Sequence, residues 1–277
     1  MFSVVKPVVA VTLLMAVSQA QASSFTLDFG NVSSTGFNSA ANNVINYGVV
    51  ANDGLNDIYG QLTTFNAFDS NQDANNGSVS GDVRINAKRG EAVQLGLSLF
   101  LDESYTTAYT STSDFSWSLT FYDIDGIDDS VSTYGPTINE TNYYDEILLR
   151  TEGVATFTDS TVLTHSNTED GLLVSAVNQA GVDGQGGIST LSDEQQDYTV
   201  VYTVENTATV LFDYIVQDIS FNNRARNLLI DGGSLTLTGE TFNTSIPTAV
   251  PLPAGGALLI GGLAALGTFR RFKGAFS

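Results

Sequence analysis

Cysteine is absent from the 277 residues, and histidine, proline and basic side chains are scarce. Without a thiol the chain has no disulfide framework, no thiolate nucleophile and no point of attachment for a lipoprotein-type lipid anchor. Zinc needs Cys or several His, so the single histidine, His165, effectively excludes it. A Ser-His-Asp triad would have to be built on that residue. Nothing in Thr164-His165-Ser166 resembles a nucleophile elbow, and a strand residue with a polar tip is the better reading. Long amphipathic helical stretches are also missing. Lys and Arg together number 10 against 30 Asp and Glu, for a formal net charge of −20.

That imbalance is sharper in the middle of the chain. All 30 acidic residues but only six of the 10 basic ones (Arg84, Lys88, Arg89, Arg150, Arg224, Arg226) lie between Ser23 and Ile246, leaving that stretch at −24. Such a charge argues against nucleic acid and anionic lipid as partners, because phosphate binding needs a cationic surface. It suits a salty or calcium-containing exterior, where counterions screen self-repulsion. Charged residues make up only 14% of the chain and hydrophobic ones 42%, the balance of a folded domain rather than a disordered acidic tail.

Period-two patterning dominates this region. Phe115-Ser116-Trp117-Ser118-Leu119-Thr120-Phe121-Tyr122 puts large apolar side chains on alternate positions, as a half-buried strand requires, and Val93 to Leu101 and Phe25 to Phe29 do the same. Further strands are expected at 83–87, 146–151, 154–158, 161–165, 172–176, 198–204, 207–216, 228–230 and 234–238, about a dozen in all. Short helical turns are expected at 38–46 and 193–196. Clusters of Gly, Asn, Asp and Ser separate the strands and suit turns. The expected fold is all-β: an antiparallel β-sandwich, jelly-roll-like, over residues 23–240, with a Thr-rich linker at 241–249.

The two ends read differently. Lys6, the apolar run Val8 to Val17 and the small-x-small pattern Ala20-Gln21-Ala22 make residues 1–22 a secretory signal peptide, cut before Ser23. At the other end, Val250-Pro251-Leu252-Pro253-Ala254 precedes an apolar run, 255–269, and a basic tail, 270–277, containing Arg270, Arg271 and Lys273. From Val250 about 20 residues precede the first Arg; at 1.5 Å per residue they span roughly 30 Å, just enough for one transmembrane helix. The prolines leave the motif at the membrane interface, where a peptidase can reach it. The basic cluster acts as a stop-transfer signal and keeps the end of the chain cytoplasmic.

Val250 to Lys273 resembles the PEP-CTERM class of sorting signals and, through Val-Pro-Leu-Pro-Ala, its VPLPA-CTERM variant. The resemblance implies an exosortase-like membrane peptidase as partner after signal peptidase, transient anchoring in the inner membrane, and release to the cell surface or an exopolysaccharide matrix. Leu252 stands where the better-known Val-Pro-Glu-Pro form has its acid. The match covers about a tenth of the chain and implies nothing about the sandwich. A plain C-terminal transmembrane anchor is the bland alternative.

Within the sandwich, the candidate site is Asp123-Ile124-Asp125-Gly126-Ile127-Asp128-Asp129. If alternation continued past Phe121, Asp123 and Asp125 would face inward, which is costly for two carboxylates without a cation. The chain must therefore turn or bind something. Hard oxygens around a glycine suit calcium, with Asp123, Asp125, Asp128 and Asp129 as ligands and Asp145 and Glu146 adding to them if the strands are neighbours. A solvated acidic loop is the alternative. Asp69 to Gly77 alternates acids and amides like half an EF-hand loop, but Ala74 stands where glycine belongs and Ser80 where the bidentate Glu should be. Tyr105, Tyr109, Tyr134, Tyr143 and Tyr144 fall in polar stretches where exposed rings would stack on sugars. The readings are an exported, non-catalytic surface or matrix protein with a structural or adhesive role, a secreted carbohydrate-binding module with or without calcium, and a carboxylate-based hydrolase.

Overall fold

The computed structural model describes residues 23–32, 39–70, 76–79, 81–111, 114–126, 143–176, 188, 191–218, 225–233 and 235–244. The signal-peptide, sorting-motif and stop-transfer assignments lie outside these residues. Among the described residues no helix is long and apolar enough to cross a membrane.

The described residues form fifteen strands and one short helix: β1 Ser23–Phe25, β2 Val44–Asn52, β3 Asp57–Thr64, β4 Gly77–Val79, β5 Asp82–Lys88, β6 Ala92–Phe100, β7 Phe115–Tyr122, β8 Tyr143–Leu149, β9 Gly153–Thr156, β10 Thr164–Thr168, β11 Gly171–Ser175, α1 Asp193–Gln196, β12 Val200–Glu205, β13 Thr209–Asp218, β14 Ala225–Asp231 and β15 Thr241–Thr244. They make two sheets. The first runs β15-β9-β12-β7-β14-β5-β4, with β1 beside β7; the second runs β10-β11-β8-β13-β6-β3-β2. Every pairing is antiparallel except β1 with β7. From β5 to β10, and again from β11 to β14, each strand is followed by one in the other sheet.

Alternation explains how the sheets meet. Phe115, Trp117, Leu119 and Phe121 of β7 face inward, as the sequence predicts, and join the inner faces of β6, β8 and β13 in one buried apolar cluster. Phe121 of the first sheet and Phe212 of the second pack edge to face at 5.0 Å between centroids. The Trp117 indole donates to the Thr207 carbonyl at 2.7 Å, so its one polar atom is satisfied. On one flank His165 of β10 stacks on Phe157 at 4.7 Å and meets Phe242 of β15 at 3.7 Å, fastening the edge of one sheet to that of the other.

Several expectations shift. β2 and β3 occupy a stretch where the sequence suggested only a helical turn or two at 38–46 and no strand. In β2 the register slips between Asn46 and Gly48 and again between Val49 and Ala51, so the inward side chains Ile45, Tyr47 and Val50 lose strict alternation. In β3 the inward parity includes Gly60 and Thr64, which carry no apolar signal; a Cβ at Gly60 would lie 2.7 Å from Val50 Cγ1. Residues 235–238 form no strand, whereas Thr241–Thr244, expected to open the linker, pair with β9 as β15. The helix at Asp193–Gln196 is present, capped by Ser192 and Gln195 in a reciprocal capping box.

Candidate functional site

β7 ends at Tyr122, and Asp123 adopts φ +64°, the left-handed conformation that breaks the alternation. The chain turns, and beyond the turn Ile124 and Asp125 are both buried. Asp125 and Asp145 come together: the Asp145 amide donates to the Asp125 carbonyl at 2.8 Å. Asp145 shares the inward parity of Ile147 and Leu149 on β8 and is wholly buried. Its carboxylate accepts from the Tyr214 hydroxyl at 3.0 Å and from Arg226 Nη2 at 2.9 Å.

Arg226 completes the group. It lies on the inward parity of β14, with Leu228 and Ile230, and its guanidinium reaches both Asp145 and Asp125. The two carboxylates belong to different parts of the sandwich, so one arginine ties the end of β7 to β8 of the opposite sheet. Burial pushes the Asp145 carboxyl well above its ordinary range, against the Tyr214 hydrogen bond and the charge of Arg89. Burial also pulls Arg226 down to about 10, which leaves it cationic at neutral pH.

The calcium expectation meets a different partner here. Of its four residues, Asp128 and Asp129 lie outside the described ones, Asp123 is half-buried on the turn, and the Asp125 carboxylate is taken up by Arg226. Asp145 joins Asp125 as the sequence suggested, but Glu146 faces the other way and accepts from Gln217 at 2.7 Å. Among the described residues no group of three or more His, Cys, Asp or Glu side chains is placed to hold a metal ion.

Other sequence candidates are dispersed. Asp69 pairs with Lys88 at 3.3 Å, and Ser70 and Asn76 hydrogen-bond Asn86, so the described parts of the Asn/Asp loop are tied to β5. Tyr109 is not an exposed platform: it is 2% exposed, packed against Phe25 and Phe115, with its hydroxyl donating to Asp53 at 3.1 Å. Tyr105 leans edge-on against Tyr59 and Phe100, and its hydroxyl accepts from the Gly48 amide. Tyr144 is partly buried against the core; Tyr134 lies outside the described residues, as does the Tyr143 side chain. His165, held between two phenylalanines, has a buried Nδ1 without a hydrogen-bond partner.

Sequence reasoning missed a groove of about 540 Å³ beside β9, β12 and β15, lined among others by Thr151, Glu152, Thr203, Glu205 and Asn243. Gly153 is among its lining residues, and a Cβ there would lie 2.6 Å from the Thr203 carbonyl and 2.8 Å from the Tyr202 ring. Amides, hydroxyls and two exposed carboxylates give it the donor and acceptor pattern of a site for a polar, uncharged or cationic molecule. Arg226 was missed too, though its signal was present: extending the Leu228–Ile230 alternation back by two residues puts an arginine on the core face.

Comparison with known proteins gives little more. No family model matches the chain, and no curated protein matches it. A solved structure, the adhesin domain of PrgB from Enterococcus faecalis, is similar over 70% of this chain and 64% of its own length, at 10% identity and a TM-score of 0.39. The match thus spans less than two thirds of that domain.

Proposed function

We propose that this is an exported, non-catalytic protein of the cell surface or extracellular matrix, whose jelly-roll-like sandwich is delivered by C-terminal sorting and serves a structural or adhesive role. One observation carries this reading: the order of the Val-Pro-Leu-Pro-Ala motif, the apolar run and the basic cluster at the end of a chain that opens with a secretory leader. The fold is compatible with it. Among the described residues the strands run from Ser23 to Thr244, inside the stretch expected to be exported. Lys88, Arg150 and Arg226 are engaged with carboxylates, and acids far outnumber bases in the exported stretch, an anionic balance suited to solubility outside the cell. Fractionation tests the reading: the protein should pass through the inner membrane and accumulate outside in a form that has lost its tail, and permanent residence in the inner membrane would refute it.

The groove favours a second reading, a carbohydrate-binding module. Its lining of amides, hydroxyls and carboxylates matches the hydroxyl-rich edge of a sugar, although no aromatic ring belongs to it. A glycan array separates the two. Saturable binding lost on Glu205→Gln or Asn243→Ala would favour recognition, and an empty array would favour the structural role.

A further inference from the structure

We propose that Asp82, Asp231 and Thr120 form a site for a hard divalent cation of the calcium class on the outer side of the first sheet. The register brings the three together. Ile230 pairs with Val83, which sets Asp231 at the end of β14 against Asp82 at the start of β5, and Asp231 pairs in turn with Thr120 of β7. Side chains directly across neighbouring antiparallel strands share a face, so two carboxylates and a hydroxyl form one row across three strands.

The row is buried although it points away from the core: Asp82 is 5% exposed, Asp231 7% and Thr120 0%. Like charges directly opposite one another destabilise a sheet, and burial sharpens the cost. The charged neighbour acting on Asp82 is Asp231, another carboxylate. Only Tyr122 is seen to relieve Asp82, donating to Oδ2 at 2.6 Å, and Asp231 keeps a further contact of its own. Thr120 is the second observation: its Oγ1 is buried and has no hydrogen-bond partner, a defect that folded proteins seldom tolerate without a ligand or water.

A hard divalent ion resolves all of this at once. Two carboxylates neutralise its charge, the Thr120 hydroxyl finds its partner, and an all-oxygen donor set selects calcium or magnesium over softer metals. The site is separate from the Asp123–Asp129 loop and draws on none of its carboxylates. It is also independent of how the protein is sorted.

The test uses the full chain in detergent, stripped with chelator and titrated separately with Ca²⁺ and Mg²⁺ by calorimetry at pH 8, with melting followed at matched ionic strength. The expected result is one cation per chain and a melting temperature raised above that in matched NaCl. Asp82→Asn and Asp231→Asn should abolish binding. Thr120→Val should weaken it by roughly tenfold, the scale of one lost polar ligand, while Thr120→Ser restores it. Asp123→Asn and Asp125→Asn should leave it intact. Melting of each variant in chelator establishes that it is folded, since removing one of two facing charges takes away repulsion rather than support. No cation-specific binding at all, as when a proton or a neighbouring guanidinium neutralises the pair, overturns the proposal. So does wild-type affinity in either Asp variant or in Thr120→Val.

Discussion

Replacing Arg226 by Met probes the link between the sheets most severely. The side chain keeps its approximate length and apolar stem while the charge disappears, leaving Asp125 and Asp145 facing each other in the interior with no guanidinium between them. Breaking a buried pair by removing one partner costs about 3–5 kcal/mol, because the remaining charge is stranded. In a domain of this size each kcal/mol moves the melting temperature by roughly 2–4 °C, so a fall of roughly 6–20 °C is expected. The loss should depend on pH. A carboxyl whose folded pKa stands above its unfolded value destabilises the fold fully above the folded pKa and ceases to do so below the unfolded one. Asp145 is already raised by burial, and loss of Arg226 raises it further. The Arg226→Met deficit is therefore largest at pH 8 and narrows toward pH 5. Adding Asp145→Asn removes one stranded charge and should recover part of the loss, a coupling read from a double-mutant cycle. Melting by circular dichroism at the two pH values suffices. A single variant within about 1 kcal/mol of wild type, with no pH dependence, would refute the pairing as the link between the sheets.

In chelator, Asp82→Asn should stabilise the fold at pH 8 by about 1 kcal/mol, because burial and Asp231 raise the Asp82 carboxyl to about 6 while solvent screens part of the effect. That gain should fade as pH falls from 6 toward 4, and chemical denaturation across the window measures it. Arg150→Gln removes the two-pronged contact of Nε and Nη2 with Asp213, at 2.9 and 2.6 Å, that clips β8 to β13. It should cost about 1–3 kcal/mol in the same assay, less than Arg226→Met because Arg150 is partly solvated. Gly60→Ala forces a methyl against Val50 and should cost about 1–3 kcal/mol, whereas Gly54→Ala, in open space but at φ +89°, reports backbone strain alone. Changing Arg270, Arg271 and Lys273 together to Gln should impair membrane retention before processing, seen as precursor lost from the membrane fraction; processing at the normal rate and site would make the cluster irrelevant.

The strands most visible in the sequence are those with one apolar face and no interruption. β7 coincides with its expected limits, and β5, β6 and β11 lie within a residue of theirs, because their inward side chains alternate without bulges. β2 and β3 escaped for the opposite reason: two register slips and an inward glycine erase the period. The inward parity of Asp123 and Asp125 posed the right question, and the chain answers it with a left-handed turn at Asp123 and a guanidinium at Asp125. What supplies that guanidinium lies about a hundred residues away, and the meeting of Asp145 with Arg226 depends on strand order that no local pattern encodes. The row of Asp82, Asp231 and Thr120 is hidden in the same way, since register across three strands is a property of the sheet. The groove beside β9 and β12 is assembled from three separate strands and leaves no contiguous motif.

The most direct test of the account is intact-mass spectrometry of the protein recovered from outside the cell. The account predicts a polypeptide that begins at Ser23 and lacks Gly255 to Ser277. Extracellular material still carrying that apolar and basic tail would contradict sorting and leave a simple membrane anchor in its place.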